Sequence, residues 1–134
     1  MKPKKILLFI FIAGILSCGI LVVGYLTNVV FPWQREEAIE ATIEMGGLST
    51  LPKNIENVEI EKRGSMFTRQ FIIEFDSDTI DIQKWIKNSK RLKNVIPKIK
   101  RHTKVYEIYP GENGAMGGKV EIENNKVSIN MSWN

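Results

Sequence analysis

Residues 119–133 read KVEIENNKVSINMSW. Lys119–Glu123 and Lys126–Trp133 alternate apolar and polar residues, with Asn124-Asn125 between them. A period of two puts Val120, Ile122, Val127, Ile129, Met131 and Trp133 on one side of a pleated ribbon. Asparagine accepts positive φ, so the two asparagines suit a tight hairpin turn. The C-terminal part is therefore expected to be a half-buried antiparallel sheet. Trp133, the penultimate residue, implies a terminus held down as a strand.

Working outward, Pro110–Gly118 (PGENGAMGG) carries four glycines and reads as a long turn, preceded by a strand over Lys104–Tyr109. Further upstream, Val58–Arg63 and Met66–Phe75 flank a Gly64-Ser65 turn and read as a second hairpin. Phe67, Phe71, Ile73 and Phe75 would share its core face. Arg69 interrupts that face and is expected to stack or to pair with a carboxylate at the core edge. Between the hairpins, Ile82, Trp85, Ile86 and Ser89 follow the spacing of a core-facing helical stripe. Asp78 at the N-cap with Asp81 three residues on resembles a capping box. That helix should run from Thr79 to Ser89 or Leu92, since Pro97 argues against its continuing through Ile96. Trp33–Met45 predicts another amphipathic helix, with Ala38, Ile39, Thr42 and Ile43 on one stripe and Gly46-Gly47 as its stop. The order α-β-β-α-β-β-β predicts an α+β domain with an antiparallel sheet of about five strands and two helices.

The first quarter of the chain obeys a different rule. Between Lys5 and Arg35 there is no charged residue. Ile6–Leu26, the densest apolar part, would span roughly 31 Å as a helix, the thickness of a bilayer core. Lys2, Lys4 and Lys5 precede it, so its N-terminal end is expected on the cytoplasmic side. Tyr25, Phe31 and Trp33 would lie near the opposite interface. The expected division is a basic cytoplasmic N-terminus (1–5), a transmembrane helix (6–31) and an extracytoplasmic α+β domain (32–134). Ile15-Leu16-Ser17-Cys18 loosely resembles a bacterial lipobox, which sets a lipoprotein anchored at Cys18 as the alternative. The apolar GILVVGYL that follows Cys18 favours an uncleaved anchor.

The chain has 134 residues and a formal charge of +4, most of it from the three N-terminal lysines. No overall polycation exists to bind nucleic acid, so none is expected as a partner. One cysteine excludes an intrachain disulfide and a Cys-rich zinc site. The sole histidine, His102, excludes HExxH, and no GxSxG occurs. His102 reads as a surface residue before a strand. Gly117-Gly118-Lys119 resembles the end of a phosphate loop, but Asn113 and Val120 break the pattern and a strand follows it. Glu59 and Glu61 read as the solvent face of a strand. No catalytic residue, cofactor or metal ligand is assigned, and the chain is not expected to be an enzyme.

Charge patterning is the remaining functional signal. Lys84, Lys87, Lys90, Arg91, Lys93, Lys98, Lys100, Arg101 and Lys104 form a basic run without an acid, while Glu36–Glu61 holds seven glutamates and one lysine. The basic run is the candidate interaction surface, suited to an acidic protein, an anionic lipid or a cell-wall polymer. The expected function is a membrane-anchored binding or accessory module of the cell envelope. The rivals are a structural subunit whose anchor and helix Trp33–Met45 pack against a larger membrane complex, and an enzyme using carboxylates or the backbone-rich loop Pro110–Gly118.

Overall fold

The computed structural model describes residues 2–27, 30–65 and 67–134. Its elements are α1 (Pro3–Leu26), a 3-10 turn (Pro32–Gln34), α2 (Arg35–Gly46), β1 (Glu56–Gly64), β2 (Arg69–Asp76), α3 (Thr79–Asn88), β3 (Lys98–Lys100), β4 (Thr103–Ile108), β5 (Gly117–Glu123) and β6 (Lys126–Trp133). The hairpin over 117–133 forms as the alternation requires, with Val120 opposite Ile129 and Ile122 opposite Val127. It lies at the centre of a six-stranded, wholly antiparallel sheet of order β1-β2-β6-β5-β4-β3. The chain's last strand therefore enters between β2 and β5.

One face of this sheet makes the core. Ile73 and Phe75 of β2, Val120 of β5, and Val127, Ile129 and Met131 of β6 are fully buried there. The two helices cover that face. Ala38 and Thr42 of α2 are buried, with Ile39 and Ile43 packed alongside, and α3 buries Ile82 and Trp85. The Trp85 ring meets Phe75 edge-on, centroids 6.1 Å apart. Its indole N–H donates to the Ser49 carbonyl at 2.9 Å. Ser89, fully buried, donates to the Trp85 carbonyl (2.7 Å) and accepts from the Ser49 amide (2.9 Å), so the polar atoms under α3 are satisfied. The other face stays polar: Glu61, Glu74, Lys119, Glu121, Ser128 and Asn130 surround a shallow open hollow.

Several expectations are corrected. The sheet has six strands. The extra one, β3, was hidden in the basic run, and its three residues owe their extended state to pairing with β4. The apolar helix starts at Pro3 and ends at Leu26 instead of spanning 6–31, because Thr27 turns extended and caps it through a backbone bond to Val23. Asn28 and Val29 of the expected span, Met1 of the basic N-terminus, and Met66 of the expected strand lie outside the described residues. Phe67 is not on the core face. β2 begins only at Arg69, leaving Phe67 in the hairpin loop and 80% exposed. Asp78 is the N-cap of α3, but its side chain makes no capping bond. Gly47 does end α2, with the left-handed φ of 58° that glycine takes without steric penalty.

Candidate functional site

Part of the basic run is engaged within the domain. α3 carries Lys84 and Lys87 on its exposed side. The turn after it turns Arg91 inward, where its guanidinium meets Glu112 (3.2 Å) and the Pro110 carbonyl (2.7 Å). Lys90 reaches the same carboxylate at 3.4 Å. The Glu112 amide in turn donates to the Met45 carbonyl at 2.7 Å, and the Arg91 amide to the Gly47 carbonyl at 3.2 Å. Arg91 and Glu112 thus tie the glycine-rich loop to the end of α2. The hydrogen bond from Arg91, with Lys90 nearby, holds the Glu112 carboxyl below the usual range. Lys98 pairs with Glu107 across β3 and β4 at 2.9 Å and lowers that carboxyl in the same way.

Six of the nine basic residues are left without an ion pair among the described residues: Lys84, Lys87, Lys93, Lys100, Arg101 and Lys104. Lys104 and His102 line a hollow with Ile82, Gln83 and Ile86 of α3. His102 is exposed in the turn before β4, as expected of a surface residue. Sequence reasoning missed the apolar residues between these cations. Ile96 is 93% exposed, and Ile99 and Val95 are exposed too. Their signal was Val-Ile-Pro followed by Lys-Ile-Lys at the sheet's outer edge.

A second site lies where α1 meets the domain. The guanidinium of Arg69 sits 4.8 Å over the ring of Tyr25, so the expectation of stacking is met by a residue of α1. Tyr25, Leu26 and Thr27 on one side, and Lys62, Arg63, Gly64, Ser65, Phe67 and Arg69 on the other, enclose a hollow of about 420 Å³. Tyr25 and Arg69 also line a neighbouring hollow of about 300 Å³ with Glu37, Phe71 and Trp133. Trp133 packs on Phe71 with centroids 4.8 Å apart, holding the C-terminus in the sheet.

Residues 110–118 line none of these hollows. No cluster of three metal-ligating side chains occurs among the described residues. The apolar stripe of α2 is used by its own sheet. No family model, curated protein or solved structure matches this chain.

Proposed function

We propose that this protein is a single-pass membrane protein whose α+β domain works outside the cytoplasm as a non-enzymatic binding module of the cell envelope. One observation carries the reading. α1 is long and apolar enough to cross a bilayer, and the most apolar 18 residues of it are buried against nothing. The domain, by contrast, closes its own core without it. A helix apolar on all sides, with only its last turn touching the domain, is at home in lipid. Cys18 is exposed on α1, and the helix continues past it to Leu26, which favours an intact anchor over a lipidated terminus.

The binding surface is the unpaired part of the basic run, and its partner is acidic. The exposed Ile96 and Ile99 among those cations favour a protein chain over a simple polyanion, because a polyanion gains nothing from apolar neighbours. The same residues support the structural-subunit reading, with the docking surface moved from α2 to the β3 edge.

The test uses the full chain in neutral phosphatidylcholine nanodiscs, titrated with poly-L-glutamate as the acidic probe. Joint replacement Lys84→Glu, Lys87→Glu and Lys104→Glu is expected to weaken binding at least about tenfold at low salt. Unchanged binding overturns the basic surface. Carbonate extraction and intact mass test the anchor. Release from the membrane, or loss of residues 1–17 with a lipid on Cys18, overturns the single-pass reading.

A further inference from the structure

The hollow between α1 and the β1–β2 hairpin has a chemistry that the basic run does not explain. Its walls carry Lys62, Arg63 and Arg69 and no carboxylate. Arg63 is engaged by Glu61 at 2.6 Å. Lys62 and Arg69 have no ion-pair partner among the described residues. Beside them Phe67 projects from the hairpin tip almost wholly uncovered.

Position turns this composition into a site. At about 1.5 Å per residue, the 24 residues of α1 outlast a bilayer core by only about a turn, so Tyr25–Thr27 lie at headgroup level. Arg69 contacts Tyr25 directly, which brings the turn end of the hairpin to the same level. An exposed aromatic next to two cations, at the height where a bilayer changes from acyl chain to phosphate, matches the layering of the interface. Guanidinium and ammonium groups there meet phosphodiester oxygens, which arginine can take bidentately.

We propose that the β1–β2 hairpin is a lipid-contact element: Phe67 enters the interfacial layer, and Lys62 and Arg69 hold phosphates of anionic phospholipids in the leaflet where α1 ends. This rests on the reading of α1 as a membrane helix. It also sets the domain's posture. Gly64 pairs with Arg69, and Arg69 with Trp133, so the hairpin tip lies at one end of the strands and the Asn124-Asn125 turn at the other. With the tip on the lipid, the Arg101-His102 turn, which shares the far end with Asn124-Asn125, points away from the membrane.

The experiment uses the full chain with Cys18→Ser and one fluorophore-labelled cysteine, at Ser65, Asn125 or Ile15. It is reconstituted in phosphatidylcholine vesicles with and without phosphatidylglycerol. Spin-labelled lipids quench from the headgroup region or from mid-bilayer. The label at 65 is expected to be quenched from the headgroup region, more strongly with phosphatidylglycerol, and the label at 125 to remain unquenched. Lys62→Glu with Arg69→Glu should remove most of the phosphatidylglycerol-dependent part. Raised salt should do the same to the otherwise unmodified protein, which keeps the test sound should the variant misfold. Equal quenching with and without phosphatidylglycerol overturns the recognition of anionic phospholipid. A label at 65 that stays aqueous, while the label at 15 is quenched from mid-bilayer, overturns the hairpin contact alone. An unquenched label at 15 overturns the membrane helix and this proposal with it.

Discussion

Helices α1 and α3 belong to one chain and answer to different surroundings. α3 has one apolar stripe: Ile82 and Trp85 are buried while Gln83, Lys84 and Lys87 face outward. Its partner must be one-sided, and the sheet is. α1 is apolar all round from Ile6 to Leu26 and exposes nearly every side chain, so no one-sided partner would satisfy it. The difference teaches that the width of the apolar surface, more than its amount, names the partner. A stripe calls for one protein face, and a full cylinder for apolar surroundings on every side, as in a membrane span or a deep core.

Substitutions can break each half of that comparison separately. Trp85→Ala should have the largest effect, costing about 3–5 kcal/mol of domain stability through the cavity against Phe75 and the lost bond to Ser49. Denaturant melts of the full chain in detergent check it, and membrane retention should not change. Ile15→Arg at the middle of α1 should do the reverse. It disfavours insertion by about 3 kcal/mol, read as the fraction resisting carbonate extraction, with the domain's melt unaltered. Ser89→Ala removes a buried hydroxyl that both donates and accepts, and should cost about 1–3 kcal/mol in the same melts.

Smaller still is Glu112→Gln, which loosens the tie between the glycine-rich loop and α2. The folded Glu112 carboxyl titrates below its unfolded value. Its contribution is therefore complete above about pH 4.3, the ordinary glutamate value, and is lost as pH falls through the folded value. The difference between wild type and variant melts should be present at pH 7 and vanish in that acid range. Lys84→Gln, on the solvent side of α3, should change stability by less than about 0.5 kcal/mol. A larger loss would show that α3 is not one-sided.

Much of the fold was legible because much of it is local. Alternation in 119–133 and 58–63, and the stripe Ile82-Trp85-Ile86-Ser89, report the period of the backbone directly. Where an outcome depended on a distant partner, local reading failed. Phe67 alternates correctly with Phe71, yet the turn extends to Thr68 and leaves it exposed, since Gly64 pairs with Arg69. β3 is too short for a period to be counted. Of the basic run, charge alone located the segment, but could not separate Arg91, folded inward onto Glu112, from Lys84, which stays in water. Nothing in sequence spacing connects Tyr25 to Arg69.

The amino-acid sequence by itself determined most of the helical and extended stretches, most of their apolar faces, and that one segment is apolar on every side. These follow from sterics and side-chain periodicity within a dozen residues. The tertiary structure alone decided that β6 lies between β2 and β5, that Arg91 and Glu112 close the loop, and that the hairpin reaches the end of α1. Those choices depend on burying two hairpins beneath one pair of helices. That free energy is shared among residues far apart in the chain and has no local signature.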